Sequence, residues 1–104
     1  MTKLEAVIKA CEDKIAKDIV TIPIDPEMAI ADYFVIVTGN SRNQTQAIAD
    51  EVERVMHEMG FEHRGIEGYR EGNWILLDFS DIIIHIFTSE DREYYDLERL
   101  WKKD

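Results

Sequence analysis

A chain of 104 residues has room for one compact domain and not for two with separate cores. Hydrophobic residues make up 45% and charged residues 33%, a foldable mixture that is neither a disordered tail nor a membrane segment. The 12 Lys and Arg face 22 Asp and Glu, and the resulting net charge of −10 repels a bare phosphate backbone, which disfavours nonspecific nucleic-acid binding. The first seventeen residues carry four Lys against three acids, so the acidity belongs to the body of the domain.

Leu4, Val7, Ile8, Cys11 and Ile15 recur at helical spacing and predict an amphipathic helix over residues 3 to 17. This opening segment has no long apolar run, so it reads as neither a secretory signal nor a membrane span, and a cytoplasmic protein is expected. Asp18 to Ile24 is short and β-branched, and Pro23 places it at a sheet edge. Asp32 to Thr38 is a dense apolar run that ends at Gly39-Asn40 and reads as a central buried strand.

The period then changes. Thr45, Ile48, Ala49, Val52, Val55, Met56 and Met59 follow helical spacing, with a Ser41-to-Gln44 capping box before them and Gly60 as a stop. Three strands are predicted next, at Glu62 to Glu67, Asn73 to Phe79 and Asp81 to Thr88, the last two joined by a tight antiparallel turn at Ser80. Thr88 or Ser89 can cap a final helix that carries Tyr94, Leu97, Leu100 and Trp101 toward the core. The expected fold is a single α/β (α+β) domain over residues 1–104: a mixed five-stranded sheet flanked by helices, in the order αββαβββα.

Candidate chemistry is sparse. Asp78 and Asp81 flank the Ser80 turn, and His85 shares a strand side with Asp81, but no second His or Cys completes a metal-ligand set. A polar turn beside a partly exposed strand histidine is the favoured reading. Cys11, the single cysteine, lies on an apolar helix stripe where a thiol is normally inert, which weakens any nucleophile pairing with His57 or His63. The Gly39 to Ser41 turn joins a buried strand to a helix N-terminus, where free N–H groups can hold a phosphate, although Ser capping explains the same residues. A Gly-Ser turn also opens the nucleotidyltransferase signature, but the following strand offers no Asp-x-Asp for catalytic metals. No cofactor or metal is expected.

Two aromatics stand apart from the core pattern. Tyr95 projects away from the apolar side of the last helix, and Trp74 shares a strand face with Leu76 and Asp78 rather than with Ile75, Leu77 and Phe79. Exposed Trp and Tyr suit interface anchoring, since they bring rigid area and a polar handle. Packing of Trp74 under a loop, with Tyr95 lying along the surface, fits the pattern equally well.

Several stretches, in order, resemble the Iojap family of ribosomal silencing factors (RsfS) over residues 18 to 101. They are Asp32-Tyr-Phe-Val-Ile-Val-Thr-Gly-Asn-Ser41, Gln46-Ala-Ile-Ala-Asp50, Glu67-Gly68, Trp74-Ile-Leu-Leu-Asp78, Asp81-Ile-Ile-Ile-His-Ile-Phe87 and Arg92-Glu-Tyr-Tyr-Asp-Leu-Glu-Arg-Leu-Trp101. The chain departs from the family pattern at Ser80, where Gly is usual, and at Ala31, where Thr or Ser is usual. The Ser80 change matters if that position needs positive φ.

The resemblance implies a nucleotidyltransferase-like fold without the catalytic carboxylates, and a homodimer. It also implies binding to the large ribosomal subunit through its fourteenth protein, so that the small subunit cannot join and translation falls during nutrient limitation. The family's contact residues fall on Trp74 and Tyr95, with Asp78, Asp81, His85 and Arg92 as expected members of the polar rim. Little direct nucleic-acid contact and no membrane contact are expected. The competing expectations are a phosphate-handling enzyme built on the Gly39 to Ser41 turn, and a generic dimerisation module whose aromatics bury against each other.

Overall fold

The computed structural model describes residues 1–101. Helix α1 (Lys3–Asp13) begins with a Thr2/Glu5 capping box, and its apolar stripe buries Val7, Ala10 and Cys11. Its end is earlier than the periodicity predicts. Ile15 turns out at φ 60°, 70% exposed, instead of extending the stripe. The amides of Ile15 and Ala16 close onto the carbonyls of Glu12 and Cys11. That is the left-handed stop usually given to glycine.

Five strands follow: β1 (Lys17–Pro23), β2 (Tyr33–Gly39), β3 (Gly65–Glu67), β4 (Trp74–Asp78) and β5 (Ile82–Thr88), with a short 3₁₀ turn at Pro26–Met28 before β2. They form one sheet in the order β1-β2-β5-β4-β3, in which β2 and β5 are parallel and the other pairs antiparallel. Helix α2 (Arg42–Glu58) lies in the long connection that a parallel β2/β5 pair requires. The mixed five-stranded sheet and its flanking helices are as expected, with β1 on an edge and β2 and β5 buried at the centre. Strand β3 is shorter than predicted: it pairs with β4 over Gly65–Glu67, and before it only the Arg64 amide, donating to the Asp78 carbonyl, reaches across.

The two sheet faces are unequal. Helices α1 and α2 cover one, packing Val7, Cys11, Ile48, Val52 and Met56 against Val35, Val37, Ile75, Leu77, Ile84 and Ile86. The other carries Ile22, Phe34, Ile36, Ile83 and Phe87, and among the described residues receives Leu97 and Trp101, with the Tyr95 ring at its margin, from the C-terminal segment. That segment is two helices rather than one, so the order is αββαβββαα. Asp96, at φ 46°, breaks it into α3 (Ser89–Tyr95) and α4 (Leu97–Trp101). The break resets the helical phase, which leaves Tyr94 81% exposed and Leu100 75% exposed although both were expected in the core.

Candidate aromatic docking face

Trp74 opens β4 directly across from Phe87 of β5, and Leu76 lies across from His85. The parallel register sets Ile36 of β2 beside His85. This pairing gathers aromatic rings on the thinly covered face. The Trp74 ring stacks on Phe87 at 4.9 Å and meets Tyr95, the last residue of α3, at 4.7 Å. Tyr94 meets Tyr95 edge-on at 5.0 Å. Trp74 is half-buried, whereas Tyr95 keeps 45% of its surface. The two aromatics that periodicity left outside the core therefore form one contiguous patch.

His85 is not at a rim. It is 4% exposed, with the Phe34 ring 4.8 Å away, and the Trp74 indole N–H donates to its Nδ1 at 3.1 Å. Desolvation lowers its pKa to about 4, so the imidazole is neutral at pH 7. A neutral ring that accepts at Nδ1 carries its proton on Nε2, and that atom has no partner among the described residues.

Arg92 is likewise committed inward. Its Nε donates to Glu98 at 2.8 Å, and its Nη1 donates to the Thr38 hydroxyl and the Asp18 carbonyl. It ties α3 and α4 to β1 and β2. Asp78 accepts from the Ser80 amide and faces Arg64 at 3.5 Å. Asp81 pairs with Lys3 of α1 at 2.8 Å. Lys3 also lies over the Phe61 ring. Asp81 thus engages the helix-covered side while His85 joins the aromatic face, and Asp78, Asp81 and His85 form no common site.

The Gly39 to Ser41 turn borders a polar hollow of about 270 Å³ with Arg42, Asn73, Glu90 and Asp91. Three donors there are already engaged: the Gln44 amide donates to Ser41 Oγ, the Asn40 amide to the Gln44 side chain, and Arg42 Nε to Asn73. Glu90 and Asp91 add charge that repels an anion. Cys11 is fully buried, and burial raises its thiol pKa to about 12. His57 and His63 pair instead with Glu62 and Glu53.

Sequence reasoning missed the inward roles of His85 and Arg92. Strand alternation puts His85 on the face of Ile83 and Phe87, but its depth depends on the β2/β5 register and on the ring of Trp74. Arg92 carried no local signal, because two of its three partners, Asp18 and Thr38, are distant in sequence and the third, Glu98, lies beyond a helix break.

A sequence profile described as ribosomal silencing factor during starvation matches residues 1–104. The chain belongs to the RsfS family. A ribosomal silencing factor RsfS from Halalkalibacterium halodurans is 41% identical over 98 residues, which cover 94% of this chain and 84% of the relative. A crystal structure of a protein from Chromobacterium violaceum superposes with a TM-score of 0.91 at 31% identity, covering all of this chain and 90% of that one. A mouse protein named mitochondrial assembly of ribosomal large subunit protein 1 is 31% identical over 94% of this chain and 44% of its own length. Within the RsfS family, then, the aromatic patch on the open sheet face is this chain's candidate docking surface. Among the described residues, no helix is long and apolar enough to cross a membrane.

Proposed function

We propose that this RsfS protein represses translation by docking on the large ribosomal subunit, through its fourteenth protein, and blocking the small subunit from joining. The observation that carries the reading is the Trp74–Tyr95 contact at 4.7 Å, which sets two large rings in one partly exposed patch on the less covered sheet face. Desolvated aromatic anchors of this kind supply most of the affinity in protein interfaces.

Helix α3, which ends in Tyr95, also carries Glu90, Asp91 and Glu93, and Asp96 follows it, an acidic segment suited to a basic protein rather than to RNA. Charge steers the encounter and makes it salt-sensitive, while the rings hold the complex. Of the expected rim residues only Asp78, on the same strand face as Trp74 and Leu76, remains a candidate, since Asp81 is engaged by Lys3 on the helix-covered side. No bond is made or broken. The protein acts as a homodimer in the cytoplasm during nutrient limitation. The family assignment supports this reading, and the name of the mouse relative is consistent with a large-subunit partner.

The test is a subunit-joining assay with purified subunits, with cosedimentation on large subunits beside it. Coupled particles should fall as the protein is added, and Trp74→Ala with Tyr95→Ala should abolish the effect. A folded double variant that still cosediments and still blocks joining would remove the reading.

A further inference from the structure

We propose that His85 is the positioning residue of the docking face: it takes up the indole N–H of Trp74 and so fixes how that ring is presented. The proposal rests on the docking reading above and adds the chemistry by which the surface is read. Trp74 has a single polar atom, Nε1, and that atom donates to His85 Nδ1 at 3.1 Å. The N–H is spent within the domain. A partner therefore meets the carbon surface of Trp74 and must bring an apolar or stacking group, not a hydrogen-bond acceptor.

The site around His85 shows why histidine is needed there. His85 lies under Phe34 and Trp74 with 4% of its surface exposed, and its Nε2–H has no partner among the described residues. An aliphatic residue would bury no orphan donor, and an orphan of this kind is costly. What histidine supplies is an acceptor at the Nδ1 position, at the end of a short rigid side chain anchored on a central strand. Phe87 bounds the same indole by stacking and Tyr95 by a tilted ring contact, which leaves rotation of the ring in its pocket as the freedom that the hydrogen bond removes. Ring orientation then decides whether Trp74 and Tyr95 act as one surface.

The experiment combines two readouts on the full chain. Trp101→Phe isolates the Trp74 indole N–H resonance, whose exchange with water is followed by NMR, and affinity for purified large subunits is measured in parallel. In the parent protein the indole proton should exchange slowly. His85→Asn, whose carbonyl can occupy the Nδ1 position, should keep slow exchange and stay within about threefold of parent affinity. His85→Leu should exchange freely and bind roughly five- to tenfold more weakly, the scale of one lost neutral hydrogen bond. His85→Gln, whose carbonyl reaches the Nε2 position instead, should behave like leucine, so the Asn/Gln contrast decides the matter if His85→Leu does not fold. Unchanged protection in His85→Leu, or free exchange with unchanged affinity, would overturn the proposal. Full binding by Trp74→Ala would instead overturn the docking reading itself, without involving any His85 variant.

Discussion

Trp74 and Tyr95 lie with ring centroids 4.7 Å apart and planes tilted by 47°, one at the start of β4 and the other at the end of α3. Because the rings touch, their contributions to binding are coupled. Trp74→Ala and Tyr95→Ala should each weaken large-subunit binding by about 2 kcal/mol or more. The double variant should lose less than the two single losses combined, since either truncation already spoils the shared surface. A thermodynamic cycle from cosedimentation checks this, and strict additivity would mean that the rings act as separate contacts.

The buried imidazole makes stability pH-dependent in a defined direction. Desolvation holds native His85 neutral down to about pH 4, while the unfolded chain takes up the proton near 6.5. Between those values the unfolded state binds more protons, so stability is full above 6.5 and falls as the pH drops toward 4. At about 1.4 kcal/mol per pH unit the loss is on the order of 3 kcal/mol. The carboxyls of Glu5 and Glu51 are held below their usual value of 4.5 by bonds to Thr2 and Arg54, so their contribution is lost at lower pH. Urea unfolding from pH 7 to 4.5 should show the decline in the parent and a much flatter profile in His85→Leu. Equal slopes would place the pH dependence elsewhere.

Long periodic segments made most of the architecture legible. Strand β2, helix α2 and strand β5 carry runs that only one regular structure can bury, and Trp74 and Tyr95 stood out as the residues those runs could not absorb. Two of the differences arise where a non-glycine residue takes a left-handed conformation. Ile15 and Asp96 do so at φ 60° and 46°, and neither advertises it locally. One shortened α1. The other split the C-terminal helix and brought Tyr94 and Leu100 to the surface. The depth of His85 and the inward reach of Arg92 depend on strand register and distant partners, which no local spacing encodes.

Two of these left-handed positions should respond to glycine. Ser80 has φ 73°, in the turn where the family pattern usually has Gly, and only its amide contacts Asp78. Ser80→Gly keeps that hydrogen bond and removes a left-handed penalty of about 1 kcal/mol, against a smaller gain in unfolded-state entropy. The expected net is a stabilisation of about 0.5 kcal/mol. Ile15→Gly should gain at least as much, since a β-branched side chain at positive φ is strained and Ile15 buries little. Thermal melts of both variants provide the check, and a lowered melting temperature in either would show that its side chain supplies something the local backbone does not require.

Arg92 offers a sharper discrimination, because charge and geometry can be separated there. Its guanidinium reaches the Glu98 carboxylate, the Thr38 hydroxyl and the Asp18 carbonyl at once, a fork that a lysine ammonium cannot reproduce. Arg92→Lys preserves net charge yet should destabilise the domain by about 2 kcal/mol, the scale of charge-assisted hydrogen bonds lost from a largely buried site. The damage should begin at α4, whose Trp101 packs 5.1 Å from Phe34 across the open face. In a Trp74→Phe background, Trp101 emission should shift to the red before global unfolding, as α4 detaches from the sheet. A variant with parent-like stability and unshifted Trp101 emission would return Arg92 to the surface role that its sequence neighbourhood suggests. A red shift without loss of the central sheet would identify the Arg92–Glu98 pair as the fastening that holds α4 beside the aromatic docking face.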